Sequence, residues 1–137
     1  MATKSRLFAG LVKSIGGAAR VKTGAVENMT TSTITLVDSA EVAIDTFDGT
    51  EIRSMKYLVT AQKQDNTAHQ STEILLTHDG DTATLTSYGT ILHSDNNQTL
   101  AFYDARIDSN DTVSLLADPQ GLGNLKFSVL KTSVKVL

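Results

Sequence analysis

From Thr33 onward, apolar residues recur at every second position in short runs, and each run ends in a cluster of turn-forming residues. A period of two places alternate side chains on opposite faces of a pleated strand, one face on a core and the other in water. The runs cover residues 32–37, 41–47, 54–63, 70–78, 82–92, 99–107, 112–117 and 124–136. Residues 41–47 alternate through Val42, Ile44 and Thr46, and residues 54–63 through Met55, Tyr57, Val59 and Ala61. Residues 70–78 put Ile74, Leu76 and His78 on one face and Glu73, Leu75 and Thr77 on the other. The Thr-rich run 82–92 carries Leu85, Tyr88 and Ile91. Ala101, Tyr103, Ala105 and Ile107 mark the next strand, and Val113, Leu115 and Ala117 the one after. The last run alternates through Leu125, Phe127 and Val129, then shifts phase to Val134 and Val136. Asp48-Gly49, Asp65-Asn66, Ser109-Asn110-Asp111 and the Pro119 loop punctuate the series, and Asp79-Gly80 is a two-residue hairpin signal. About eight strands at roughly ten-residue spacing, without interleaved helices, predict an all-β fold: an antiparallel β-sandwich spanning residues 31–137.

Residues 1–30 have a different texture and predict an N-terminal basic arm. Leu7, Phe8, Leu11, Val12 and Ile15 recur at helical spacing, so residues 5–15 predict a short amphipathic helix that Gly16-Gly17 stops. Residues 16–32, rich in Gly, Ala, Thr and Ser, then serve as a connector. Lys4, Arg6, Lys13, Arg20 and Lys22 against Glu27 give residues 1–28 a charge of +4, leaving −7 on residues 29–137. A +4 segment can bind nucleic acid or a membrane, but five basic residues spread over 28 positions are not a dense patch, which favours docking on a protein. They suit an acidic protein surface, including another copy of the same body. A helix this short is marginal alone in water, so it orders on a partner or packs on its own domain. The candidate docking residues are therefore the five basic side chains together with Leu7, Phe8, Leu11, Val12 and Ile15.

Chemistry is hard to find along the chain. Cysteine is absent, which excludes disulfides, thiolate metal sites and a cysteine nucleophile. His69, His78 and His93 have neither helical zinc spacing nor a triad partner nearby in sequence. Asp79-Gly80-Asp81 and Asp95-Asn96-Asn97 lack the ligand pattern of a twelve-residue calcium loop, and a hairpin tip explains the first. Neither Gly16-Gly17 nor Gly121-Leu122-Gly123 sits between a strand and a helix as a phosphate loop does. Paired carboxylates for glycoside hydrolysis leave no local motif, and nothing singles out such a pair. Aromatics make up 5% of the chain, which is thin for stacking on single-stranded nucleic acid. No apolar run reaches membrane-spanning length, and Lys13 interrupts the one stretch that resembles a leader. The expectation is a chain without enzymatic activity, cofactor, metal or membrane partner.

The stretch from Ile44 to about Thr132 adds a family likeness. Asp45 and Phe47 precede Arg53-Ser54-Met55-Lys56-Tyr57. Glu73 with His78-Asp79-Gly80, then Tyr88-Gly89, Tyr103-Asp104-Ala105 and Lys131-Thr132 complete the pattern. In this order the residues resemble a β-rich module of virion structural proteins of tailed phages, especially marine cyanophages. The resemblance covers about two thirds of the chain. It implies an accessory or decoration-type subunit on capsid, neck or tail, located in the virion, homo-oligomeric and partnered by other virion proteins. The alternative it leaves open is a receptor- or glycan-binding module of a tail fibre, using loop and rim residues such as Asn96, Asn97, Tyr88 and Tyr103. Arg53 or Lys56 is placed to pair with Glu73 across strands.

Overall fold

A computed structural model of the chain describes residues 12–15, 18–23, 26–36 and 40–137, the first three segments as paired backbone strands. The strands are β1 (Val12–Ile15), β2 (Ala18–Thr23), β3 (Val26–Leu36), β4 (Val42–Asp48), β5 (Ile52–Lys63), β6 (His69–His78), β7 (Ala83–His93), β8 (Ala101–Ile107), β9 (Thr112–Pro119) and β10 (Leu125–Lys135). The described residues contain no α-helix, only a single 3-10 turn at Asp95–Asn97. One sheet has the order β1-β2-β3-β10-β5-β6-β7 and the other β4-β9-β8, with every pair antiparallel. The fold is all-β, a sandwich of these two antiparallel sheets.

The core lies where their inward faces meet. Met55, Tyr57, Val59, Ala61, Ile74, Leu76 and Phe127 come from the larger sheet; Ile44, Phe47, Val113, Leu115 and Ala117 come from the smaller. Burying these side chains at roughly 25 cal/mol per Å² is the main force holding the layers together. The buried Gln70 fixes one end. Its Nε2 donates to the Ala101 carbonyl at 2.8 Å and its Oε1 accepts from Leu100 N at 2.8 Å. One amide side chain thus stands in for a strand and ties the start of β8 to β6. At the other end, Gly49 N donates to Asp111 O at 2.8 Å. A Cβ on Gly49 would lie 2.9 Å from that oxygen and 3.1 Å from the His78 ring, so only glycine allows the approach.

Two strands depart from the alternation expected of them. In β4 the pairing with β9 slips between Ala43 and Asp45, leaving Ile44 as an extra residue. The bulge resets the phase, so Ile44 and Phe47 are both buried and Asp45, not Thr46, turns inward. In β10 the expected phase shift does not occur. Leu125, Phe127, Val129, Lys131 and Ser133 are all buried, while Leu130 and Val134 face out. The 79–82 hairpin connection is also longer than the two residues expected, with Asp79 Oδ1 accepting from the backbone N–H of Asp81 and Thr82.

The N-terminal region differs as well. Val12–Ile15, expected at the end of a helix, is a strand paired with β2, and residues expected as connector form β2 and β3. Val26 and the Thr-rich run before Leu36 favour a pleated backbone. Pairing with β10 gives that backbone the hydrogen bonds an isolated short helix would have to find alone. β3 runs across the boundary expected at residue 30. The rest of the expected helix, residues 5–11, lies outside the described residues.

Candidate functional site

The most organised polar group lies between the sheets. Lys131 and Tyr57 are direct partners across β10 and β5, both on the inward face. Lys131 Nζ approaches Asp45 Oδ1 to 2.7 Å, and the Tyr57 hydroxyl donates to Asp45 Oδ2 at 2.8 Å. The Lys131 and Asp45 side chains are each 8% exposed. Burial, followed by the adjacent Asp45 charge, pushes the Tyr57 hydroxyl far above its usual range, so it remains a donor. Each Asp45 oxygen has a partner, which is the condition under which a buried carboxylate is tolerated. Spanning both sheets, the arrangement acts as a clamp.

A second cluster closes the β5–β6 end. Arg53 Nη1 donates to the His78 carbonyl at 3.0 Å, and His78 Nε2 lies 2.7 Å from the Ile52 carbonyl. A carbonyl only accepts, so Nε2 carries the proton, and Nδ1 is buried without a hydrogen-bond partner among the described residues. The His78 ring packs on Phe47 at 6.2 Å. The Tyr103 hydroxyl is likewise buried and unpartnered there, its ring edge-on to Phe127 at 6.5 Å. Burial raises the Tyr103 hydroxyl well above its usual range. Three turn carboxylates sit below the usual carboxylate range. The Thr50 hydroxyl holds Asp48 down, the Thr67 hydroxyl Asp65, and the Thr82 backbone N–H Asp79.

The larger sheet's outward face is the third feature. Of the large apolar side chains left exposed among the described residues, Leu58, Leu75, Tyr88, Ile91, Leu130 and Val134 all lie on it. Leu130 opposes Leu58, and Leu75 opposes Lys56 and Thr86. Gly89, at φ 63°, forms a bulge on β7 where the register shifts between Ser71 and Glu73, so Tyr88 and Ile91 both face out. A groove of about 680 Å³ crosses one end of this face between Lys56, Leu75, Thr77, Thr86, Thr132 and Val134. Of the two pairings considered for Glu73, Lys56 forms it, at 3.9 Å.

Of the expected docking residues, Val12, Lys13 and Ile15 fall on β1, and Arg20 and Lys22 on β2. Lys13 stands in register with Arg20, and Lys22 with Glu27. Lys4, Arg6, Leu7, Phe8 and Leu11 lie outside the described residues. The sequence reading missed the Lys131–Asp45 pair, which two phase errors concealed. It also missed the outward leucine of β10, whose signal was the alternation of Leu130 with Val129 and Lys131.

No protein-family model matches the sequence, and no curated protein matches it. Among solved structures, the chain is similar to a tailspike protein of Acinetobacter baumannii bacteriophage Fri1, described as a capsular polysaccharide depolymerase. The identity is 12% and the TM-score 0.49, over 97% of this chain and 22% of that one. It is also similar to the tailspike protein of Acinetobacter baumannii phage AM24, at 10% identity and a TM-score of 0.46, over 82% of this chain and 26% of that one. The chain thus spans about a quarter or less of these proteins. Likeness at this level concerns strand arrangement alone. The description of the Fri1 protein as a depolymerase sets an enzyme against the expectation of a chain without enzymatic activity, which rested on missing motifs alone and is withdrawn. Missing motifs could not carry that expectation, because carboxylates that cleave glycosides come together from distant strands and leave no local spacing to read.

Proposed function

We propose that this chain is a structural module of a tailed-phage virion, an accessory subunit that assembles on neighbouring virion proteins through its basic N-terminal region. One observation carries the reading. The residues that make the sequence resemble phage virion modules are those that interlock in the fold. Asp45, Tyr57 and Lys131 form the inter-sheet clamp. Arg53, His78 and Asp79 close one end. Tyr88-Gly89 makes the β7 bulge, and Tyr103 packs on Phe127. A pattern whose members meet in space specifies an architecture, and scattered matches would not converge in this way.

The +4 of residues 1–28 against the −7 of the remainder supports assembly through the arm. The test mixes the full chain with particles lacking it and counts bound copies by quantitative mass spectrometry. A full-length variant with Lys4, Arg6, Lys13, Arg20 and Lys22 all changed to Ala runs in parallel. Binding at fixed copy number, lost in the variant and weakened by raising salt from about 0.05 to 0.5 M, supports the proposal. Equal binding by the variant removes the arm from it. A chain that ignores particles and binds host cells or glycans overturns it in favour of receptor binding.

A further inference from the structure

The outward face of β10-β5-β6-β7 has the composition of an interface core. Its charge is confined to Lys56, Glu73 and Lys126; every other outward position from Ser54 to His93 is apolar, hydroxyl, amide or imidazole. The other sheet differs. Glu41, Asp48, Asp104, Arg106 and Asp118 are all exposed along it, and Arg106 pairs with Glu41 at 3.0 Å. Interface cores are depleted in charge and more apolar than the rest of a surface, while the smaller sheet carries the charge of a solvated face.

We propose that this face is the contact between two copies of the chain, packed sheet against sheet about a two-fold axis. Three observations select a second copy as occupant. First, residues 29–137 carry −7, so most approaches of one copy to another bring acid against acid. Here the nearest charges, Lys56 and Glu73, are of opposite sign and 3.9 Å apart. A two-fold axis beside them sets each against its opposite on the other copy, the self-complementarity an isologous contact requires. Second, the extent is right. Four strands about 4.8 Å apart and some ten residues long at about 3.3 Å each give on the order of 500–600 Å² before side-chain relief. That approaches the roughly 800 Å² per partner of a standard interface. Third, Leu58 and Leu130 stand opposite each other on this face, 42% and 44% exposed. The groove lined by Leu75 and Val134 lies on the same face, open to receive the leucines of a second copy.

The inference holds whether or not the chain belongs to a virion, and its test uses no particles. Sedimentation equilibrium of the full chain gives a dimer. Leu58→Lys, at an exposed position that leaves the core untouched, gives monomer with unchanged far-UV circular dichroism. Lys56→Glu and Glu73→Lys each place like charges across the axis and weaken the dimer at least about tenfold. Mixing those two variants restores a dimer of one copy of each, since both cross-axis pairs again have opposite sign. A folding defect could not be rescued in that way. A wild-type chain that stays monomeric at about 0.5 mM overturns the inference. So does a dimer indifferent to all three substitutions, or a mixture that stays monomeric.

Discussion

Replacing Lys131 with methionine tests the account of the sandwich most directly. The ammonium sits 2.7 Å from Asp45 Oδ1, with both side chains 8% exposed. At an effective dielectric near 20 that separation corresponds to about 6 kcal/mol of attraction. Desolvating two ions costs several kcal/mol each, so the intact pair contributes little net stability. Removing one partner is different. Methionine keeps the volume of the lysine stem but leaves Asp45 charged, buried and held only by the Tyr57 hydroxyl. The expected loss is about 3–5 kcal/mol. Tyr57→Phe, which removes one hydrogen bond to a charged group, costs about 1.5–3 kcal/mol. Asp45→Leu/Tyr57→Phe/Lys131→Met removes both charges together with the hydroxyl that Asp45→Leu would leave unpaired, and is expected within about 1 kcal/mol of wild type. Urea unfolding followed by far-UV circular dichroism and tyrosine fluorescence reads this cleanly, since the chain has three tyrosines and no tryptophan. At an m-value of about 1–3 kcal/mol/M, Lys131→Met lowers the midpoint by roughly 1–5 M. A Lys131→Met midpoint within about 0.3 M of wild type, or a triple variant as unstable as the summed singles, would refute the reasoning.

Gln70→Leu leaves Leu100 N–H and the Ala101 carbonyl without their partner and is expected to cost about 2–4 kcal/mol, read as a fall in urea midpoint. Tyr103→Phe deletes a buried hydroxyl that has no partner among the described residues while keeping the edge contact on Phe127; it should raise stability by about 1 kcal/mol, and a loss would mean the hydroxyl is bonded. Gly49→Ala drives a methyl against Asp111 O and the His78 ring and should cost about 1–3 kcal/mol, with the melting temperature as readout. Asp48, Asp65 and Asp79 have folded-state pKa values lowered from the usual range, so their stabilisation is present above about pH 4 and lost as pH falls through the folded values. The urea midpoint should hold from about pH 7 to 5 and fall below 4, and a variant with all three changed to Asn should fall less steeply; equal slopes would exclude these turns as the cause.

The body was legible because its strands have one dry and one wet face. Met55, Tyr57, Val59 and Ala61 on β5, and Val113, Leu115 and Ala117 on β9, are buried as their alternation predicts. What the sequence concealed lies at Asp45 and Lys131. A pattern reading treats a charge as outward, so it assigned Thr46 to the core and moved β10 out of phase at Val134. Both charges point inward because each is satisfied by the other, a condition that exists only once β4 and β10 are assembled. The β4 bulge that turns Asp45 has no glycine to announce it, unlike the β7 bulge at Gly89. At the N-terminus, helical spacing of apolar residues competed with β-branched Val12 and Ile15, and strand pairing decided between them.

The outer half of β10 carries its polarity inverted, and this gives the clamp a second role. Leu130 and Val134 face out, while Lys131 and Ser133 face in. On hydrophobicity alone this half would be better placed one residue out of step, with its leucine and valine in the core. Such a slip flips every side chain of the strand. Leu125, Phe127 and Val129 oppose it at one end, and at the other Lys131 with Asp45 is one of the opposing contacts. Buried polar groups best earn their place where they fix a register. The Asp45→Leu/Tyr57→Phe/Lys131→Met variant separates this role from stability. Near-wild-type stability with doubled or broadened amide resonances confined to residues 130–135 is the expected outcome, because the strand then has two competing registers. A single sharp set of resonances along β10 would mean that the inner half fixes the register unaided and the ion pair specifies nothing.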